Sequence, residues 1–207
     1  MKHQIIVIHG GHTYKTYKAY FTFLKGRKVS SQRFKNNKQG WKDILKEELG
    51  KAFEVITPRM PNAANAKYAE WKIWFEKGIP YFKGNLVFIG HSLGGIFLAK
   101  YLSENRFPKK ICATFIIAAP FDTKHREKSK SLADFTLPKS LRKFEKQGGK
   151  VFLYFSKDDP TVPFVDFRKY EKELKNAVPR VFAKKKHFNQ EKFPELVQDI
   201  KNLYNKN

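Results

Sequence analysis

The sequence predicts an α/β fold, a parallel sheet of about six strands with helices on both faces. Short apolar runs alternate with amphipathic runs of 3.6-residue spacing, as βαβ units do. The apolar runs are nearly continuous, which suits strands buried on both faces. The 207 residues, 41% of them apolar with 20 Phe, 9 Tyr and 3 Trp, suffice for one well-buried core, so a single domain over residues 1–207 is expected.

The candidate strands are Gln4 to Ile8, Phe53 to Thr57, Asn85 to Ile89, Ile111 to Ala118, Lys150 to Phe155 and Arg180 to Ala183. Between them, Trp41, Ile44, Leu45 and Leu49 form a helical stripe that Gly50 ends as a C-terminal cap. Tyr68, Trp71, Trp74 and Phe75 form a second stripe. Ile96, Leu98, Ala99, Tyr101 and Leu102 form an almost wholly apolar helix, as a central helix packed on a sheet needs. Phe193, Leu196, Val197, Ile200 and Leu203 mark a last amphipathic helix. Two stretches break the rhythm. His12 to Gln39 carries Tyr17, Tyr20, Phe21 and Leu24 at the spacing of a short helix, then a basic polar loop. Asp122 to Gly149 is polar first and helical around Leu141 to Phe144. Connections of this length in compact folds are often lids or binding loops.

Forty-two Lys and Arg against 19 Asp and Glu give a net charge of +23. The lysines are scattered and greatly outnumber the arginines, whereas specific phosphate or base recognition draws on Arg forks. The balance reads as a basic solvated surface with no specific nucleic-acid partner, a functional anion preference being the alternative. No run reaches the ~20 apolar residues of a membrane span, and the N-terminal apolar stretch is too short for a signal peptide. The one cysteine, Cys112, lies in an apolar run and reads as a buried structural thiol, consistent with a reducing cytoplasm.

The third apolar run passes through Gly90 into His91, Ser92, Leu93, Gly94 and Gly95, a strand followed by Gly-x-Ser-x-Gly and then a helix. That context makes a nucleophile elbow. The sharp turn forces the serine into a strained backbone, and glycines two residues either side relieve crowding. The new helix aims its free N–H groups and positive dipole end at the same point. Ser92 is therefore the candidate nucleophile.

A serine needs a base oriented by a third group. In this context the chain order is Ser, then Asp or Glu, then His. After Ser92 only His125 and His187 remain. His125 lies in a polar stretch, whereas His187 falls between the last strand and the last helix, where a loop returns to the carboxyl edge of the sheet. Asp158 and Asp159 both follow the strand ending at Phe155, so spacing assigns the acid to this loop and not to one residue. The first strand ends in His9, Gly10, Gly11 and His12; such a turn lets the N–H of Gly11 or its neighbour meet that of Leu93 as an oxyanion hole. Neither a metal site nor a phosphate loop is expected there, for want of a ligand set or a Lys-Ser/Thr pair.

Taken together, these segments resemble the small capless α/β hydrolases related to retinoblastoma-binding-protein-type serine hydrolases and their bacterial counterparts. The resemblance runs from Ile5 to the final helix. It is carried by Ile8 to Gly11, Pro58 to Asn62, Tyr68 to Trp71, Gly90 to Gly95, Ala119 to Asp122, Asp158 to Phe164 and His187 to Asn189. It implies an α/β-hydrolase fold without a large cap domain, and its Asp-Pro-x-Val-Pro and His-Phe-Asn patterns select Asp159 and His187. Lys186 stands where the family commonly has Gly, and Lys25 to Asn37 looks like an insertion that leaves the shape of the substrate cleft open. Retinoblastoma binding is not carried over, because no Leu-x-Cys-x-Glu motif surrounds Cys112. The expected activity is hydrolysis of an ester or related acyl bond in a small molecule, without metal or organic cofactor. A non-catalytic scaffold or an anion-binding protein on the same fold are the alternatives.

Overall fold

The computed structural model describes residues 2–28, 40–123 and 131–205. Strand β1 (His3–Ile8) is followed by α1 (Tyr17–Gly26), α2 (Trp41–Leu49), β2 (Phe53–Ile56), α3 (Tyr68–Gly78), β3 (Leu86–His91) and α4 (Leu93–Glu104). Then come β4 (Ile111–Ile117), α5 (Arg142–Gln147), β5 (Lys150–Ser156), α6 (Val165–Glu173), β6 (Val178–Phe182) and α7 (Pro194–Asn202). The six strands form one sheet in the order β2-β1-β3-β4-β5-β6, with all neighbours parallel. The order reverses between β1 and β3, so their carboxyl ends flank the crevice where open α/β sheets bind ligands.

Parallel register divides the side chains between two cores. Ile5 pairs with Val87 and Val87 with Ala113, a row that packs on one face with Trp41, Leu45, Phe193 and Ile200. The neighbouring row, Ile6 with Phe88, packs on the other face with Trp71, Phe75, Phe97 and Phe135. Both faces are therefore apolar, which is why these strands read as continuous runs and not as alternating ones.

The expected strands are all present, with ends displaced by at most two residues. β6 opens at Val178, ahead of the expected Arg180, with Pro179 in register opposite Leu153. A proline is tolerated there because β6 is an edge strand. Helix α2 ends at Gly50, whose φ of 86° lies in the region glycine favours. In α3, Trp71 and Phe75 are buried as the stripe predicts, but Trp74 is 50% exposed and lies off the buried face.

Helix α1 forms where its aromatic spacing predicts, with Thr16 Oγ1 accepting from the N–H of Ala19 at 3.1 Å as an N-cap. Its stripe nonetheless faces outward: Tyr17, Phe21 and Leu24 are exposed, and no residue of the helix is fully buried. The rest of the basic loop after it, residues 29–39, and His125 lie outside the described residues. Cys112 is half-buried, less enclosed than its apolar run suggests, and desolvation raises its thiol pKa.

Candidate active site

Ser92 sits between β3 and α4 with φ 54° and ψ −118°, a left-handed backbone that a side chain adopts only under constraint. Its N–H donates to the Ile117 carbonyl at 2.8 Å, tying the turn to the neighbouring strand. Glycine at 90 and 94 is a packing requirement. A Cβ on Gly90 would lie 2.5 Å from the Gly94 oxygen, and one on Gly94 would collide with the Ile8 carbonyl. The sequence-level reason for both glycines is thus a close approach of three backbone segments under the serine.

His187 Nε2 lies 2.9 Å from Ser92 Oγ, and His187 Nδ1 lies 2.8 Å from Asp159 Oδ2. Three side chains from separate loops therefore meet in one hydrogen-bonded chain. The Asp159 side chain is only 2% exposed. Its other oxygen, Oδ1, accepts from the N–H groups of Thr161 at 2.7 Å and Val162 at 3.0 Å. Pro160 has no N–H to offer, so the turn closes on the next two residues and fixes the carboxylate with its second oxygen toward the imidazole.

Asp158 points to other partners. Its Oδ1 accepts from Ser156 Oγ at 2.6 Å and from the Lys186 N–H at 2.8 Å, and both interactions hold its carboxyl below the usual range. Ser156 Oγ in turn accepts from the Lys185 N–H at 2.9 Å. The pair clamps the backbone immediately before His187. Within that loop Lys186 has φ 48°, a left-handed geometry that glycine adopts more readily than a residue with a side chain. Phe188, also at positive φ, is fully buried, and its carbonyl accepts from Trp41 Nε1 at 2.8 Å. The loop is thereby pinned on both sides of His187.

At the end of β1, His9 is structural. Its Nε2 accepts from the Met60 N–H at 2.9 Å, which leaves the proton on Nδ1 to donate to the Gly10 carbonyl at 2.7 Å. This bracket holds the segment around Pro61, whose carbonyl accepts from Trp71 Nε1, against the first turn. Gly11 lies against the elbow: a Cβ there would come within 3.2 Å of Leu93 Cδ2 and 2.7 Å of the Ala63 oxygen. No group of three or more His, Cys, Asp or Glu suited to a metal ion occurs among the described residues.

Two residues that sequence reasoning passes over complete the floor of the site. His91 is buried, with Nε2 donating to the His187 carbonyl at 2.8 Å and Nδ1 facing Lys42 Nζ at 3.3 Å. Desolvation, then the nearby Lys42 and His187, keep its pKa well below the ordinary histidine value, so it is neutral with the proton on Nε2. Lys42 extends from α2 over the Trp41 ring, and desolvation lowers its pKa to about 8. Nothing in the sequence distinguishes it from the many solvated lysines. These groups open on a cleft of about 1150 Å³ between the β1 loop, α1 and the elbow.

A parallel sheet with this strand order, no large cap and a serine at the β3–α4 elbow defines an α/β hydrolase. A family model described as serine hydrolase matches residues 34–200, and the chain belongs to that family. No curated protein matches the sequence significantly. Among solved structures, the ydeN gene product from B. subtilis superposes with a TM-score of 0.73 at 17% identity, covering 99% of this chain and 100% of that one. A putative yden-like hydrolase from Pectobacterium atrosepticum gives 0.61 at 11% identity, with 98% and 90% covered. A structure described under carboxylesterases of the ammonia-oxidizing Thaumarchaeon Nitrososphaera gargenis gives 0.55 at 15% identity, with 98% and 87% covered. At these identities the likeness is one of fold.

Proposed function

We propose that this hydrolase cleaves carboxylic esters of small molecules through Ser92, His187 and Asp159, with the N–H groups of Leu93 and Gly11 receiving the oxyanion. The observation that carries this reading is the unbroken hydrogen-bond chain from Ser92 Oγ through both ring nitrogens of His187 to Asp159. Asp159 accepts a hydrogen bond from His187 Nδ1–H and so keeps the tautomer that presents a bare Nε2 to the serine hydroxyl. As Ser92 Oγ attacks the ester carbon, its proton passes to Nε2 and the C=O electrons move to oxygen. The tetrahedral intermediate collapses, Nε2 returns the proton to the departing alcohol, and an acyl-Ser92 ester remains. Water, deprotonated by the same nitrogen, attacks that ester, and the acid leaves as Oγ regains its proton.

The Leu93 N–H opens α4, where N–H groups lack intrahelical partners and the helix dipole favours negative charge. Gly11 lies beside Leu93, which supports pairing the two as donors. The carboxylesterase description of one structural neighbour supports an ester substrate, and the absence of any helix long and apolar enough to cross a membrane among the described residues is compatible with work in the cytoplasm. Turnover of p-nitrophenyl esters of increasing acyl length tests the proposal. Wild-type protein should release p-nitrophenolate with an acyl-enzyme burst at one chain length or more, and Ser92→Ala should abolish both; undiminished turnover in Ser92→Ala would overturn it.

A further inference from the structure

Lys42 is an unusual cation in this protein. Among the described residues, other partly enclosed lysines are satisfied by oxygen: Lys67 donates to the Tyr14 carbonyl and Lys201 to the Glu48 carbonyl, for example, and Lys169 and Lys185 donate to carboxylates. Lys42 Nζ contacts, among the described residues, the ring nitrogen of His91 and the face of Trp41. Asp43, the acid adjacent to it, is turned to the helix start, where its Oδ2 accepts from the Gly40 N–H at 2.8 Å. The ammonium therefore lacks a carboxylate partner among the described residues, and it lines the cleft that contains Ser92 and His187. No Asp or Glu is among the described residues lining that cleft, whereas Lys18 is.

We propose that Lys42 is the anchor for an anionic group on the substrate, so that the ester cleaved at Ser92 carries a carboxylate close to its scissile bond. The proposal rests on the hydrolase reading above and narrows its substrate class. A desolvated ammonium with spare N–H donors binds a carboxylate strongly because neither partner has to surrender a competing ion pair. His91 sets the position of Nζ. Its neutral ring, held by the His187 carbonyl, accepts one ammonium N–H, and the ammonium carries two more donors. The lowered pKa of Lys42 agrees with a site whose counterion arrives with the ligand. The overall charge of +23 adds long-range attraction for such substrates.

Two matched ester pairs test this. In one the charge is in the acyl arm, mono-p-nitrophenyl glutarate against p-nitrophenyl valerate. In the other it is in the leaving group, 4-carboxyphenyl acetate against 4-methoxycarbonylphenyl acetate. At pH 7 the wild-type protein should prefer the anionic member of at least one pair by about tenfold or more in kcat/KM, the value of a charge-assisted hydrogen bond. Lys42→Gln should bring that ratio to near unity, and Lys42→Arg should retain most of it. If Lys42 served only to position His91 and His187, its loss would lower both members equally and leave the ratio unchanged, which overturns the proposal. So does a wild-type protein without anionic preference in either pair, a result that needs no variant. If Ser92 is also unreactive toward a fluorophosphonate, the hydrolase reading beneath it falls as well; if Ser92 is labelled, only the anion site is lost.

Discussion

Asp159 lends one oxygen to two backbone N–H groups and the other to His187, while the adjacent Asp158 turns to Ser156 and the Lys186 N–H. Spacing places both in one loop and leaves the choice open; the contacts separate them. In a Ser-His-Asp arrangement, Asp→Asn presents the wrong imidazole tautomer and can cost about 10⁴ in turnover. Asp159→Asn should show a loss of that order with the circular dichroism spectrum intact. Asp158→Asn retains an oxygen for both of its donors and should lose less than about tenfold. The reverse ranking in two folded variants would move the acid to Asp158. Lys42 gives a second measurable consequence at this scale. Its pKa is about 8 in the folded protein against an ordinary 10.5, so between these values the unfolded chain holds a proton that the folded one has released. Folding stability then rises with pH across that window, and the cost of keeping Lys42 charged is fully present below it. The titratable groups acting on it are His91, already neutral, and Asp43, whose charge opposes the shift from a distance. The stability of wild type relative to Lys42→Met should therefore increase from pH 7.5 to pH 10.5; a flat difference by urea denaturation would contradict the assignment.

At the scale of elements, the β3 strand, its turn and α4 act as one unit because Gly90 and Gly94 let β1, β3 and α4 touch through backbone alone. A methyl group at 94 has nowhere to go but into the Ile8 carbonyl. Gly94→Ala should therefore destabilise the fold by about 1–3 kcal/mol or more, despite the higher helix propensity of alanine. Equal or raised thermal stability would contradict this packing. The elbow was legible in the sequence for that same reason: its residues are dictated by local geometry. The loop that carries His187 was legible in part. Phe188 and the position after the last strand mark it, but the Ser156 and Asp158 clamp joins residues about 30 apart in the chain, and no local pattern reports such a pairing. Helix α1 was expected from its aromatic spacing, and the spacing gave the helix without its orientation. A stripe identifies a buried face only where a neighbour covers it, and Tyr17, Phe21 and Leu24 have no such cover among the described residues.

Across the whole molecule, the two cores either side of the sheet fix where Ser92, His187 and Asp159 meet. The rows led by Ile5 and Ile6 hold β1 and β3 side by side, and the reversal of strand order between them opens the crevice that receives Ser92 from one strand and Gly11 from the other. The continuous apolar runs made this architecture readable from the sequence. The lining of the cleft was much less so. His91 and Lys42 come from β3 and α2, elements whose residues looked like strand filler and solvated helix, and only tertiary contact gives them a role. In the proposed mechanism Ser92, activated by His187, is the nucleophile. Peptide mapping by mass spectrometry after treatment with a fluorophosphonate tests it most directly. A single adduct should form on the peptide containing Ser92, far more slowly in His187→Ala and not at all in Ser92→Ala; an adduct on another residue, or labelling that persists in Ser92→Ala, would contradict this mechanism.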